Sequence, residues 1–246
     1  MKNQTQSSQP VSSKDTAPAP TLSVIVPAYN EAAYIAKVLE QVKRSGYPCQ
    51  VLVVDDGSTD GTGAQAAGID GITLLRHDRN RGKGAAVRTA LSHVRGDVVL
   101  IQDADLEYDP RDYGDLLQPI LEGKADVVYG SRFAGSGPHR VLFFWHMLGN
   151  TLLTFFSNML TNLNLTDMET GYKAFTKEVG QRLVLKENRF GFEPEFTARV
   201  ARMDLRIYEV GISYSGRKYA QGKKVNWKDG VSALRCIIKY NLWDRI

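Results

Sequence analysis

The sequence predicts an α/β fold in which a mostly parallel sheet is flanked by helices. Three observations lead there. Short runs of apolar, largely β-branched residues recur along the chain, each with the character of a strand buried on both faces. Amphipathic stretches with helical spacing alternate with these runs, the pattern of βαβ units. Acids and glycines follow several runs directly, at the strand carboxyl ends where open parallel sheets bind ligands. With 246 residues, 43% of them hydrophobic, the chain has material for one sizeable core.

Residues 1–20, rich in Gln, Ser, Pro and Ala, lack the apolar core of a signal peptide and read as a disordered tail ahead of a domain over residues 21–215. Leu22 to Val26 is the first strand, stopped by Pro27, which removes a ladder donor. Asn30 is expected to cap a helix whose Ile35, Val38, Leu39 and Val42 recur at i, i+3, i+4 and i+7. Val51 to Val54 is the second strand, and it completes a βαβ unit. The loop after it, Asp55-Asp56-Gly57-Ser58-Thr59-Asp60-Gly61-Thr62, carries more acids than helix capping needs. Ile72 to Leu75 is a third, shorter strand. The basic turn from His77 to Gly84 then feeds a helix marked by Val87, Ala90, Leu91 and Val94. Backbone N–H groups at that helix start, with Lys83 beside them, suit a phosphate or nucleotide, although Gly84 stands where a Walker A loop has Ser or Thr.

Val98 to Ile101 reads as a short strand buried on both faces, and Asp103, Asp105 and Glu107 follow at once. Alternate residues of a brief extended turn point the same way, so Asp103 and Asp105 can converge on a hard cation that also grips a diphosphate. A solvated acidic turn is the other reading of this segment alone. Tyr113, Leu116, Leu117, Ile120 and Leu121 mark another helix. The strand from Ala125 to Gly130 ends in Ser131-Arg132, which brings to the same rim a guanidinium suited to bidentate phosphate contact.

Residues 141–165 form an amphipathic segment, apolar and aromatic from Val141 to Leu160 but too interrupted by polar residues for a bilayer span. It suits a helix lying on a membrane surface or covering a greasy substrate, and a packed core helix would have a similar sequence. Thr166 to Lys173 is a polar island, Phe190 to Phe196 leads into a short helix through Arg202, and Ile207 to Val210 is a late strand. Residues 216–246 read as an amphipathic, basic C-terminal extension. Eight Lys or Arg face two Asp from Ser213 onward, an excess of +6 in a chain whose net charge is +4. Trp227 and the Ile237-Ile238 and Leu242-Trp243 pairs are candidates to anchor it to the domain or to lipid. Cys49 and Cys236 show neither disulfide nor zinc spacing, which points to a reduced, cytoplasmic compartment. No nucleic-acid motif is present, so no nucleic-acid partner is expected.

Several of these stretches fit one family together: Val26-Pro27-Ala28-Tyr29-Asn30-Glu31, then Val54-Asp55-Asp56-Gly57-Ser58-Thr59-Asp60, then Asp103-Ala104-Asp105. In that order and spacing the chain resembles family 2 glycosyltransferases of the GT-A fold. Gly130-Ser131-Arg132, the Asp167 to Tyr172 stretch and Tyr214 to Arg217 make it most similar to the dolichol-phosphate mannosyltransferase and polyprenyl-phosphate glycosyltransferase group. The resemblance covers Leu22 to Trp227. It implies that Pro27, Tyr29 and Glu31 line a nucleoside pocket, that Asp55 or Asp56 contacts base or ribose, and that Lys83 sits near the nucleotide. It makes Asp103 and Asp105, with Glu107 as a further oxygen ligand, the holders of Mg²⁺ or Mn²⁺. Arg132, Arg140 and Arg217 match positions that face donor or acceptor phosphates, and Asp103, Asp105 and Arg132 are the expected catalytic set.

The implied reaction is inverting transfer of a hexose from a nucleotide sugar, of the GDP-mannose or UDP-glucose type, to a polyprenyl phosphate. A metal and guanidinium groups would stabilise charge on the departing diphosphate. A sugar-hydroxyl acceptor would need a general base, for which Asp167, Glu169 and Glu195 are candidates, whereas a lipid phosphate is already anionic. The same donor site with a saccharide or other soluble acceptor, and a non-catalytic nucleotide-sugar-binding module, are the competing readings. The leading one implies a chain peripheral on the cytoplasmic face of a membrane, with a separate membrane-anchoring protein as a further candidate partner.

Overall fold

Alternation of side chains along buried strands sorts the core into two layers, one on each face of a seven-stranded sheet. The computed structural model describes residues 20–47, 49–135, 140–141, 143–217 and 227–244. The tail expected before Thr21 falls almost wholly outside these residues, as do residues 218–226 of the basic segment and the side chain of Trp227.

The strands are β1 (Leu22–Ala28), β2 (Cys49–Asp55), β3 (Ile72–Arg76), β4 (Val98–Ile101), β5 (Val127–Ser131), β6 (Lys173–Thr176) and β7 (Ile207–Gly211). They lie in the order β3-β2-β1-β4-β6-β5-β7. Every pairing is parallel except those of β6, which runs antiparallel between β4 and β5. The mostly parallel sheet is as expected, with one correction: the stretch read as a polar island continues into β6. Four residues opening with a lysine carry too little periodicity to announce a strand.

The helices are α1 (Ile35–Arg44), α2 (Thr62–Ala67), α3 (Lys83–Leu91), α4 (Tyr113–Leu121), α5 (Phe144–Thr161), α6 (Lys177–Arg182), α7 (Phe192–Val200) and α8 (Trp227–Ile238). Val24, Val26, Val51, Val53 and Leu100 meet α1 through Ile35, Val38, Leu39 and Val42, and α4 through Leu116 and Leu117. Ile25, Leu52, Val54, Val99 and Ile101 point the other way, onto Ala86, Val87 and Ala90 of α3 and Phe192, Phe196 and Val200 of α7. Both faces of the central strands are therefore dry, which is why their sequences are apolar at nearly every position.

Asn30 does not cap α1. Its backbone has a φ of 50°, and its side-chain oxygen instead accepts the Thr59 N–H at 2.9 Å, clasping the loop after β1 to the loop after β2. The chain after residue 216 is also more than an appendage. Ala233, Cys236, Ile237 and Tyr240 are buried, α8 packs on α5 and α7, and Arg202 donates to the Tyr240 and Asn241 carbonyls at 2.7 and 2.9 Å. Among the described residues no helix is long and apolar enough to cross a membrane.

Candidate functional site

The strand order reverses beside β1, with β2 and β3 on one side and β4 on the other, and a crevice opens at the carboxyl ends where such a reversal occurs. A cleft of about 1210 Å³ lies there. Pro27, Tyr29 and Glu31 line it from the end of β1, Asp56 from β2, Lys83 from the start of α3, and Asp103, Asp105 and Glu107 from the end of β4. Arg132, Arg140, Glu169 and Arg217 line it as well, so the fold gathers residues scattered over most of the sequence. Asp55, Asp167 and Glu195 are not in its wall.

The acid turn is fixed from behind. Gln102 is fully buried, accepts the Tyr113 and Tyr172 hydroxyls at 2.9 and 2.6 Å, and donates to the Asp103 carbonyl at 3.0 Å. Gly171 passes so close that a Cβ there would overlap the Asp103 carboxylate. Leu106 is held in the left-handed region at φ 57°, a strained setting for a leucine, and reverses the chain between Asp105 and Glu107.

Two cations brace the turn. Lys83 Nζ reaches Asp103 Oδ1 at 2.8 Å and Glu193 Oε1 at 3.0 Å, and these two carboxylates hold its ammonium charged against the opposing effect of burial. Arg217 reaches Asp105 at 2.7 Å and Glu31 at 3.1 Å. Burial, with the charges of Asp103 and Glu107 close by, nevertheless pushes Asp105 up to about 7, with Arg217 only partly offsetting them. Glu107, expected as a further oxygen ligand, lines the same cleft. Its carboxylate accepts the Tyr214 hydroxyl at 2.8 Å and the Arg217 N–H at 2.6 Å, and among the described residues no three His, Cys, Asp or Glu side chains gather as a metal cage. Asp103 and Asp105 form a pair able to hold a hard cation, with Glu107 in the same cleft wall. Two carboxylates one residue apart at a strand end, each also touched by a cation, fit Mg²⁺ or Mn²⁺, which complete their coordination with water and substrate phosphates.

Asp56 lines the cleft but is engaged with its own loops, accepting His77 Nδ1 at 2.6 Å and the Arg81 and Gly82 N–H groups at 2.9 and 2.7 Å. It thereby sets the turn that presents Lys83. Asp55 accepts the Ser58 N–H at 3.0 Å and shapes the loop after β2. Arg132 is clamped by Asp167 through both carboxylate oxygens, at 2.7 and 2.8 Å, and Asp167 has no exposed surface. Asp167 aims Arg132 and is not itself open to an acceptor. Glu195 is likewise removed from the cleft: it accepts the Lys186 and Glu187 N–H groups and pairs with Arg199 at 3.2 Å. Arg140 donates to the Gly216 carbonyl at 2.7 Å, at the rim.

Two residues escaped the sequence reading. Lys173 is fully buried at the start of β6, donating to the Met168 and Thr170 carbonyls, and burial pulls its ammonium down to about 8. Glu193, in the first turn of α7, is the partner of Lys83. Its only sequence signal is a second acid beside Pro194 among phenylalanines.

Burial and the nearby charge of Glu193 push the Glu169 carboxyl up to about 8. An unfolded glutamic acid loses its proton near ~4.3, so between there and pH 8 the native state holds a proton that the unfolded chain has released, and stability falls as pH rises. Glu169→Gln removes that titration. Its melting temperature declines less between about pH 5 and pH 8, and at pH 8 it is the more stable protein, by on the order of a few kcal/mol, as thermal denaturation at the two pH values will record.

Part of the cleft wall is apolar. Val141, Phe143, Trp145, Met147 and Leu153 line it, and the outer face of α5 exposes Phe144, Phe155 and Met159, with Trp145 77% exposed. One cleft thus has both a charged turn and an aromatic wall.

Comparison with known proteins agrees with this geometry. The model for the family described as glycosyl transferase family 2 matches residues 23–183. Dolichyl-phosphate beta-glucosyltransferase ALG5D of Trichomonas vaginalis is 29% identical, over 90% of this chain and 75% of its own length. Polyprenol monophosphomannose synthase of Mycolicibacterium smegmatis is 29% identical, over 81% of this chain and 79% of its own. Some relatives are longer, and the chain spans only half of one of them. Among solved structures, glucosyl-3-phosphoglycerate synthase of Mycobacterium tuberculosis, in complex with Mn²⁺, UDP and glucosyl-3-phosphoglycerate, has a TM-score of 0.72 at 20% identity, covering 90% of this chain and 80% of that one. It has the same fold.

Proposed function

The chain belongs to the family 2 glycosyltransferases, and from that premise we propose that it moves a hexose from a nucleotide sugar of the GDP-mannose or UDP-glucose type to a polyprenyl or dolichyl phosphate. The observation that carries this reading is the cleft itself, charged at Asp103, Asp105 and the arginines and aromatic along α5. An acceptor with a phosphate head and an isoprenoid tail matches both. The dolichyl-phosphate and polyprenol-phosphate enzymes among its relatives support the same acceptor class.

In the proposed reaction an acceptor phosphate oxygen attacks the anomeric carbon from the side opposite the diphosphate. The new C–O bond forms as the bond to the diphosphate breaks, its electron pair leaves with the nucleoside diphosphate, and the configuration inverts. A lipid phosphate has its second ionisation near ~6, by analogy with phosphoserine, so it needs no base. That fits a site in which Asp167 and Glu195 are both internally paired. Asp103 and Asp105 would hold Mg²⁺ or Mn²⁺, which when bound neutralises charge building on the leaving diphosphate. Lys83 adds positive charge beside Asp103, and Arg132, aimed by Asp167, together with Arg140 and Arg217 receives the acceptor phosphate. The exposed face of α5 supports a peripheral position on an anionic membrane, with the basic C-terminal residues adding attraction.

Radiolabelled transfer to a short-chain polyprenyl phosphate tests this, with several nucleotide sugars screened in Mg²⁺ or Mn²⁺. The expected result is chloroform-extractable label from one donor, abolished by a chelator. Label appearing only on soluble saccharides or small phosphorylated acceptors would overturn the acceptor assignment and leave the donor chemistry standing.

A further inference from the structure

Both carboxylate oxygens of Asp105 are engaged. Oδ1 accepts the Glu107 N–H at 3.2 Å, a bond that closes the acid turn, and Oδ2 accepts Arg217 Nη2 at 2.7 Å. The same guanidinium reaches Glu31 with its two terminal nitrogens, at 3.1 and 3.3 Å. Its Nε lies 3.5 Å from Glu107 Oε1 and is buried without a hydrogen-bond partner. One cation is thus divided among three carboxylates. The backbone around it is pinned separately, by the Arg217 N–H on Glu107 Oε1 at 2.6 Å and the Ser215 N–H on the Glu107 carbonyl at 2.9 Å. The side chain can therefore leave Asp105 with the backbone in place. Glu31, Glu107 and the Tyr34 ring, whose centroid is 5.6 Å from the guanidinium carbon, stay beside it when it does.

We propose that Arg217 is the resident counter-ion of the acid turn, holding Asp105 Oδ2 until a divalent cation displaces it, so that guanidinium and metal exclude each other at that oxygen. The inference rests on the reading of Asp103 and Asp105 as the metal-holding pair and adds what occupies the pair beforehand. Coulomb repulsion supplies the exclusion, because two cations on one mostly buried carboxylate oxygen would stand within a few ångströms of each other where screening is weak. Of the two bonds on Asp105, the one at Oδ1 belongs to the chain reversal at Leu106, and the one at Oδ2 can exchange. Lys83 is a different case: it meets Asp103 through Oδ1 and is tied to Glu193 on another helix. Exchange keeps the turn balanced in both states, since the divalent ion brings its charge as the guanidinium withdraws to Glu31 and Glu107.

Mn²⁺ binding to the intact chain, read from the electron paramagnetic resonance signal of the free ion, tests this without sugar transfer. Wild type, Arg217→Gln and Arg140→Gln are titrated alone and with UDP or GDP. Arg140 lines the same cleft with its guanidinium on the Gly216 carbonyl, so its variant reports the loss of a positive charge without the contact to Asp105. Arg217→Gln is expected to bind Mn²⁺ about 10-fold more tightly than wild type, equivalent to about 1.4 kcal/mol, and Arg140→Gln to stay within about 3-fold of wild type. In Arg217→Ala, whose shortened side chain leaves room, millimolar guanidinium is expected to weaken Mn²⁺ binding where equimolar NaCl does not, a response that a purely structural role would not give. Should these variants fail to fold, Arg217→Lys keeps the charge without the reach to three acids and shows a smaller gain. Affinities within about 2-fold of wild type in the Arg217 variants, or an equal gain in Arg140→Gln, overturn the exclusion and leave the metal-holding pair standing. No Mn²⁺ binding by any of the proteins, even with UDP or GDP present, overturns both.

Discussion

Asp105→Ala is expected to abolish sugar transfer, lowering kcat by at least about 10³-fold, or about 4 kcal/mol of transition-state stabilisation, while the melting temperature stays level or rises. The two halves of that result have one cause. Asp105 stands among Asp103 and Glu107 in a buried turn, where burial and its neighbours push its carboxyl up to about 7. The fold does not need this charge; it is held there against an energetic cost, as groups with a binding or catalytic task commonly are. Removing it relieves repulsion, and Arg217 keeps Glu31 and Glu107 as partners. Initial rates of label transfer set beside thermal melts of wild type and variant give both readouts. Transfer within about 10-fold of wild type would remove Asp105 from the metal-holding pair.

Asp167→Ala is expected to do the reverse, destabilising the protein by about 3–5 kcal/mol because it leaves a buried guanidinium unpaired. Asp167 is completely buried and bonds Arg132 through both oxygens, and it holds that guanidinium charged although burial opposes the charge. Arg132 lies against the Tyr214 ring, 5.3 Å from its centroid, with most of its side chain buried. Asp167→Asn keeps one acceptor and costs less, and the double variant with Arg132→Ala costs less than the two single changes summed. Urea midpoints of the four proteins measure the coupling. An Asp167→Ala variant as stable as wild type but inactive would restore Asp167 as an acceptor-side acid.

These expectations also mark what could be read from the sequence and what could not. By itself the sequence determined six of the seven strands and the place of the sheet's chemistry. Strands such as Val98–Ile101 are buried on both faces, so every position is apolar, and the acids that follow must lie at the ligand-binding end of the sheet. The aromatic stretch that became α5 was legible only as a helix, since a packed core helix would have a similar sequence, and its exposed face came from the structure. Only the tertiary structure decided which charges meet. Glu31 and Arg217 are 186 residues apart and Lys83 and Glu193 lie on different helices, and no local period encodes such pairs. The insertion of β6 beside β4 sets Lys173 opposite Ile101 and carries Gly171 to Asp103, which explains why the polar stretch before it belongs to the site. The same packing made Glu107 a partner of Tyr214 and Arg217 and Glu195 a brace for the loop before α7. A carboxylate in a sequence is a candidate for any charge; burial and the nearest donors, both products of the fold, determine which one it serves.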